Sequence, residues 1–114
     1  MNGMFLPQAK RVFTDHPKFA GVRIAVLVRG ADSDRVSVSQ LEIEPGVEVP
    51  IHTHDPQLDS IFVLSGEAEV FINGEWRRVG SEDYLLAPVG VEHGVRNIGR
   101  EPLRLFIHHS PPLL

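Results

Sequence analysis

Residues 67 to 79 read EAEVFINGEWRRV, two short runs joined by the pair Asn73-Gly74. Asn-Gly is the strongest short-range signal for a β-hairpin, because both central residues of a type I′ turn need a positive φ. The runs on either side carry apolar, β-branched and aromatic residues in the manner of strands that bury one face. The segment therefore predicts two antiparallel strands, at residues 67–72 and 75–79.

The same pattern of short alternating runs continues on both sides of this hairpin. Further strands are predicted at residues 22–28, 36–44, 47–54, 59–64, 84–87, 92–96 and 103–108. Turn residues separate them, such as Pro45-Gly46 and Ser65-Gly66. About nine short strands without a long helix predict an all-β protein of sandwich or barrel type. Since exposed sheet edges invite aggregation, we expect a closed or nearly closed antiparallel barrel.

Length and hydrophobicity bound the organisation of the chain. Its 114 residues, 42% of them hydrophobic, suit one domain with one core. We assign residues 21–114 to the barrel and residues 1–20 to an N-terminal arm or edge strand. No apolar run approaches the roughly 20 residues that cross a bilayer, and the N-terminus lacks the features of a signal peptide. We therefore expect a cytoplasmic protein without a membrane partner.

Charge and cysteine content exclude other classes of function. Eleven basic residues against 15 acidic ones give a net charge of −4, and there is no cysteine. Nucleic-acid binding needs a basic stripe, whereas Arg77-Arg78 fits a solvated strand face, so no nucleic-acid partner is expected. Without thiolates, any metal must bind through nitrogen or oxygen ligands. A small-molecule ligand or substrate is the expected partner.

His52 and His54 are the first candidates for chemistry. They are two residues apart on a predicted strand, so their side chains should leave the same face. Two neutral buried imidazoles need partners, and one shared cation satisfies both lone pairs. From this pair alone, a metal site and a structural pair of histidines both remain open.

The wider sequence around this pair resembles the first motif of the cupin family. That motif combines a glycine, two histidines, a carboxylate and a second glycine, which here are Gly46, His52, His54, Asp59 and Gly66. A downstream segment is similar to the second motif, with Pro88, Gly90, His93 and Asn97 in register. The two motifs flank the Asn-Gly hairpin, as they do in the family. The resemblance implies a single double-stranded β-helix, or jelly-roll, barrel.

The resemblance also implies a metal site. By position, His52, His54, Asp59 and His93 would hold one divalent transition metal ion and leave coordination positions open. Such ligands suit Fe, Mn, Co, Ni, Cu or Zn rather than Ca. Asp59 departs from the family, which has Glu or Gln there; if Asp59 does not bind, a three-histidine centre remains, as in the thiol and diketone dioxygenase branches. Asp55, the alternative acid, should point to the opposite strand face.

A second departure from the family precedes the second motif. The family has a glycine six residues before the proline of this motif, a position that Glu82 occupies here. The nearest preceding glycine is Gly80, eight residues before Pro88. We expect residues 80–83 to form a longer turn that leaves His93 unaffected.

Three further residues are candidates for a substrate pocket: Gln57, Tyr84 and His109. If Leu103 and the residues that alternate with it line the interior, His109 continues that face. The alternative is that His108 and His109 are only a histidine pair at a fraying C-terminal strand. Gln57 and Tyr84 have an equally simple alternative as loop or packing residues.

Three hypotheses for function follow from these residues. The first is a metalloenzyme, dioxygenase-like or using related metal-assisted chemistry, that acts on a small oxygenated organic molecule. The second is a non-catalytic cupin module that binds or senses a sugar, an organic acid or the metal itself. The third is a metal-free barrel in which the histidines only fill space or act as bases. A homodimer is expected through edge strands, with the N-terminal residues as a swapped arm.

Overall fold

The computed structural model describes residues 3–114, and β-strands dominate them. In chain order the strands are β1 (Thr14–Asp15), β2 (Val22–Val28), β3 (Ser37–Ile43), β4 (Glu48–His52), β5 (Leu58–Ser65), β6 (Glu67–Ile72), β7 (Glu75–Gly80), β8 (Tyr84–Ala87), β9 (His93–Asn97) and β10 (Leu103–Ser110). A turn of 3-10 helix covers Gln8–Lys10. Within the described part of the chain, no helix is long and apolar enough to span a membrane.

The strands form two antiparallel sheets. One sheet has the order β1-β2-β3-β10-β5-β8 and the other has the order β4-β9-β6-β7. This confirms the predicted all-β architecture, and all nine predicted strands are present with ends that differ by at most two residues. The strand β1 was not predicted individually; it pairs with β2 at the edge of the larger sheet, within the N-terminal segment.

The predicted hairpin is confirmed in its register and its backbone. Strands β6 and β7 pair from Glu67 with Gly80 to Ile72 with Glu75. Asn73 has φ 53° and Gly74 has φ 81°, so both turn residues take the positive values that the turn needs.

The apolar core lies between the two sheets and draws on both. Its fully buried members are Val22, Ile43, Val49, Ile61, Val63, Ala68, Val70, Val95, Leu103, Leu105 and Ile107. Strand β10 lies between β3 and β5 and buries alternate residues, which is the period of a strand with one face in the interior. Removing this apolar surface from water is the main favourable term for the fold.

Strands β4 and β9 approach each other closely near the predicted histidines. His52 pairs directly with His93, and the ladder is irregular between Val49 and His52, where Pro50 cannot donate a hydrogen bond. Gly94 makes the approach possible, because a Cβ there would lie 3.1 Å from the Ile51 nitrogen. A side chain at this position would push β4, and with it His52, away from β9.

The prediction that His52 and His54 share one strand face is corrected by the structure. Strand β4 ends at His52, and His54 lies in the loop that leads to β5. The chain turns after the strand, so strand periodicity does not set the direction of the second ring. The two ring centroids are nonetheless 4.8 Å apart, nearly edge to face.

The turn that departs from the family pattern covers residues 81–83, between β7 and β8. Gly80 donates its backbone N–H to Asp83 Oδ2 at 2.7 Å, and the Asp83 N–H returns a bond to the Gly80 carbonyl at 3.1 Å. Glu82 has φ 70° within this turn and donates its N–H to the Val63 carbonyl. The loop is therefore hydrogen-bonded to β5, and none of these hydrogen bonds involves His93.

Asn97 supplies the first test of the fold. It is 3% exposed; Nδ2 donates to the carbonyls of Ile43 and Glu101, and Oδ1 accepts the Gly99 N–H. Replacement by alanine leaves these three backbone groups without their hydrogen-bond partner. Asn97→Ala should therefore lower the free energy of unfolding by about 2–4 kcal/mol. Urea unfolding followed by circular dichroism measures the loss. The exposed neighbour Arg100→Ala should change it by less than about 0.5 kcal/mol, and equal effects would contradict the assignment.

Candidate functional site

Five polar side chains converge inside the barrel. His52 ends β4, His54 follows it in the loop, Asp59 lies on β5, His93 begins β9 and His109 lies near the end of β10. One ligand atom each from His52, His54, Asp59 and His93 can be chosen so that all lie within 4.8 Å of one another. The four residues selected from the sequence are thus in one place, and such a group of nitrogen and oxygen donors can hold one metal ion.

Backbone carbonyls fix the tautomers of two of these histidines. His52 Nδ1 lies 2.7 Å from the Pro50 carbonyl oxygen, and His93 Nδ1 lies 2.9 Å from the Val91 carbonyl oxygen. A carbonyl oxygen only accepts, so each Nδ1 carries the hydrogen and donates it. In the neutral rings, each Nε2 then keeps its lone pair. Histidines that bind metals use this arrangement, in which the second nitrogen is held by a backbone or carboxylate oxygen.

The Asp59 carboxylate lies at the centre of the group. Its Oδ2 is 2.9 Å from Nε2 of His93, 3.5 Å from Nε2 of His54 and 3.4 Å from Nε2 of His109. The other oxygen, Oδ1, is buried and has no hydrogen-bond partner among residues 3–114. An unpartnered carboxylate oxygen this deep in a protein is costly, so a water molecule or an ion at this position would stabilise it.

The contact between His93 and Asp59 shows what that group must supply. If His93 is neutral with its hydrogen on Nδ1, its Nε2 is a bare acceptor 2.9 Å from Asp59 Oδ2, whereas a protonated ring donates a hydrogen there. Such a contact is favourable only if a proton or another cation lies between or beside the two atoms. The donor set therefore fits a metal ion, which neutralises the carboxylate and accepts the imidazole lone pairs.

The protonation of the histidines reflects the same crowding. Burial, together with the neighbouring imidazoles, lowers the pKa of His54 to about 4 despite the opposing charge of Asp59. Burial also lowers the pKa of His52, although its bond to Pro50 opposes the shift. For His93, burial is outweighed by the hydrogen bonds to Asp59 and Val91, so its pKa is raised. Burial is likewise outweighed at Asp59, whose pKa is lowered by the bonds with His109 and His93.

A cavity of about 590 Å³ opens beside the cluster, and the five polar residues form part of its wall. Most of the remaining wall is aliphatic or aromatic and comes from both sheets. Representative members are Phe19, Ile61, Val63, Leu85, Leu105 and Ile107. The arrangement combines a polar, ligand-bearing end with apolar surroundings, which is the usual build of a small-molecule site.

The three pocket candidates from the sequence have different positions. His109 is 7% exposed and lines the cavity, on the same face of β10 as Leu105 and Ile107. Gln57 and Tyr84 are not among the residues that line it. Gln57 donates its side-chain amide to the Pro112 carbonyl. Tyr84 is exposed, and its hydroxyl forms a hydrogen bond with the hydroxyl of Ser60 on the neighbouring strand β5. Strand alternation explains the second case, because Leu85 takes the inward position.

Sequence reasoning missed the contribution of the N-terminal segment to this cavity. His16, Lys18 and Phe19 line it, and the rings of His16 and Phe19 stack with centroids 4.8 Å apart. No period or motif marks these residues, because their position depends on how the segment folds back over the barrel. The contact between His109 and Asp59 was also missed, although the alternation from Leu103 placed His109 on the inner face.

Comparisons with known proteins place the chain in a family. Residues 39–109, more than half of the chain, match the family described as Cupin domain. The chain is 31% identical over 73 residues to mannose-1-phosphate guanylyltransferase ManC of Salmonella typhimurium, which covers 64% of this chain and 15% of that protein. It is 30% identical over 69 residues to polyketide synthase CurC of Streptomyces cyaneus, which covers 60% of this chain and 45% of that protein. The chain thus matches less than half the length of either relative.

Solved structures extend the likeness over nearly the whole chain. The polyketide cyclase RemF from Streptomyces resistomycificus superposes with a TM-score of 0.81 at 18% identity, covering 99% of this chain and 87% of that one. At this level of identity the likeness concerns the fold. It agrees with the jelly-roll barrel that the sequence motifs implied.

The protonation pattern gives a test in the metal-free protein. We expect His93 to remain a positively charged imidazolium above pH 6.5, whereas His54 stays neutral down to about pH 4. Because its folded pKa is raised, His93 stabilises the fold below pH 6.5, and this contribution disappears as the pH rises through the folded value. Because its folded pKa is lowered, His54 destabilises the fold progressively as the pH falls from 6.5 towards 4. Imidazole ¹⁵N chemical shifts across pH 3–9 measure both, and two histidines titrating together near 6.5 would contradict this.

Proposed function

This chain belongs to the cupin family, and we propose that it is a metalloenzyme acting on a small, largely apolar, oxygenated organic molecule. One divalent transition metal ion is held by His52, His54, His93 and Asp59. The observation that carries the proposal is the convergence of three histidines on the buried carboxylate of Asp59 in the wall of a cavity, with ligand atoms of all four residues within 4.8 Å of one another.

The donor set restricts the metal without choosing a single ion. Three imidazole nitrogens and one carboxylate oxygen suit Fe, Mn, Co, Ni, Cu or Zn. When bound, such an ion polarises a carbonyl or enolate oxygen of the substrate, and a redox-active ion also supports dioxygen chemistry. A dioxygenase-like reaction is therefore one subclass of the proposal.

The protein's own residues bind and orient the substrate. The largely apolar walls favour a hydrocarbon skeleton or aromatic ring over a polyhydroxylated one, and Lys18 and Arg29 add positive charge elsewhere in the lining. Keto, enol or phenol oxygens of such a molecule can face the cluster while the rest packs against residues such as Val63 and Leu105. The carbonyls of Pro50 and Val91 hold two of the rings in place during binding.

The names of two related proteins support this class of substrate. CurC is a polyketide synthase protein and RemF is a polyketide cyclase, and polyketides are carbon skeletons that carry keto and phenol oxygens. A molecule of that kind matches a cavity with apolar walls and one polar end. We therefore propose diketones and phenolic or quinone-like aromatic compounds as the class to test first.

A non-catalytic binding module is the second candidate, and the likeness to ManC favours it. That protein is named for a reaction on a sugar phosphate, so a sugar is the ligand to compare. A sugar brings hydroxyl groups that need hydrogen-bond partners, and the mostly apolar walls would leave many of them unpaired. The cavity chemistry therefore ranks this candidate below the metalloenzyme.

Dimerisation and a cytoplasmic location stay predictions. Strand β1 forms one edge of the larger sheet, and the preceding segment exposes apolar side chains, including Phe5 at 88% and Val12 at 68%. A second copy that covers them would form a homodimer with the N-terminal residues at its interface. Light scattering of the purified protein would find twice the chain mass if this is correct.

Metal content tests the proposed site directly. Purified protein loaded with Mn, Fe, Co or Zn should contain one ion per chain by elemental analysis, and His93→Ala should lose stoichiometric binding because it removes a central ligand. His108→Ala is the matched control, since this neighbouring histidine contacts Phe106 and is not among the residues lining the cavity. Unchanged metal content in His93→Ala would contradict the role of His93 as a ligand, and a native protein that takes up no ion would favour a metal-free barrel.

Turnover separates the enzyme from the binding module. With Fe(II) loaded in the absence of air, the protein should consume dioxygen or convert substrate with at least one member of a panel of diketones, catechols, phenols and thiols. The His93→Ala variant should lower the rate to that of free metal. Tight retention of a sugar phosphate or an organic acid without turnover, measured by calorimetry, would instead support the non-catalytic module.

A further inference from the structure

We propose that His109 is a positioning residue that holds the Asp59 carboxylate as a ligand for the metal. The inference rests on the metal site proposed above and concerns a residue outside the three-histidine and carboxylate group. Strand register brings the two together, because His109 on β10 is the direct partner of Asp59 on β5. Both are buried, at 7% and 4% exposure, and His109 Nε2 lies 3.4 Å from Asp59 Oδ2.

The tautomer of His109 follows from its surroundings. Its Nδ1 is buried and has no hydrogen-bond partner within residues 3–114, whereas its Nε2 faces the carboxylate. A neutral imidazole carries one ring hydrogen. The tautomer with that hydrogen on the nitrogen facing an acceptor is the more stable one. In its neutral form, His109 therefore directs its Nε2 hydrogen at Asp59 Oδ2 across the 3.4 Å contact. His93 differs from it, because its hydrogen is on Nδ1 and its Nε2 is a bare acceptor.

This difference divides the imidazoles around Asp59 into two roles. His52 and His93 direct lone pairs into the site, and these need a cation. His109 directs a hydrogen, which satisfies part of the acceptor capacity of Oδ2 and repels a cation at that nitrogen. His52, His54 and His93 would then hold the ion together with Asp59, and His109 would act on the carboxylate without being a ligand.

The short side chain of Asp59 explains the need for such a contact. A carboxylate held by one methylene group reaches less far than that of a glutamate, so its orientation matters more for reaching a shared metal. Oδ1 has no partner in the described structure, so the contacts at Oδ2 determine how the group is turned. Without the contact from β10, only His93 and His54 would remain beside Oδ2, and the carboxylate could turn further towards them. Outer groups of this kind typically change metal affinity about 10–100-fold when removed.

The test measures Co(II) binding by competition with a chelator, together with the visible absorption of the bound ion, which reports its coordination. His109→Phe keeps a ring but cannot donate, and we expect affinity to fall about 10–100-fold with an altered spectrum. His109→Gln, which can donate from its amide, should restore affinity to within a few fold of the native protein. His108→Phe, next along the strand, should change neither quantity.

A double-mutant cycle separates this role from simple packing. If His109 acts through Asp59, then His109→Phe should add almost nothing in an Asp59→Ala background, where the carboxylate is already absent. The same loss in both backgrounds, or no loss in the native one, would overturn the inference while leaving the metal site intact. Failure of the native protein to bind Co(II) at all would overturn the proposed function and this inference together.

A measurement on the native, metal-free protein needs no variant to fold. Long-range ¹H–¹⁵N spectra distinguish the two neutral imidazole tautomers, and His109 should carry its hydrogen on Nε2 while His93, in its neutral form, carries it on Nδ1. A hydrogen on Nδ1 of His109 would remove its donor to Asp59 and refute the positioning role.

Discussion

The buried carboxylate of Asp59, facing imidazole nitrogens from three other segments of the chain, is the contact around which the site is organised. A carboxylate at this depth needs hydrogen bonds or a cation to compensate for lost water. Neutral His93 has one ring hydrogen, and its Nδ1 donates that hydrogen to the Val91 carbonyl. It therefore has none to donate to Asp59. A proton on His93 or a bound cation would compensate the carboxylate, and backbone carbonyls already hold the Nδ1 atoms of His52 and His93.

The fold delivers these groups through strand pairing. Pairing of β4 with β9 sets His52 opposite His93, and pairing of β5 with β10 sets His109 opposite Asp59. Each pair lies in a different sheet, so the two sheets must face each other at the correct distance for the four side chains to meet. The apolar core between the sheets, with Val63, Leu105 and Val95 among its members, sets that distance. Gly94 allows the close approach of β4 to β9 that brings His52 to the cluster.

The cavity couples this polar cluster to an apolar environment. Low polarity strengthens the attraction between a bound cation and its carboxylate ligand, and it limits access of water to a bound molecule. The proposed substrate class follows from this combination of a polar cluster and largely apolar walls. The N-terminal segment contributes to the same cavity, because Phe19 lies in its wall.

Much of the molecule followed from local sequence rules. The Asn73-Gly74 turn, the alternation along strands such as β10 and the spacing of His52, His54, Asp59 and His93 were enough to predict the all-β fold and to select four residues that meet in space. Turn chemistry and strand period depend on neighbouring residues, so the sequence carries them directly. The spacing told less about side-chain direction: His54 lies beyond the end of its strand, and Tyr84 faces outwards.

Contacts between distant segments required the tertiary structure. Sequence alone predicted which residues could bind a metal, and it predicted the barrel to which they belong. The structure decided that His109 contacts Asp59, that the N-terminal segment lines the cavity, and which imidazole nitrogens face inwards. These features depend on the register between strands separated by about half the chain and on carbonyls that become available only when the backbone has folded. Such pairings are set by the packing of the whole core, and no short stretch of sequence contains them.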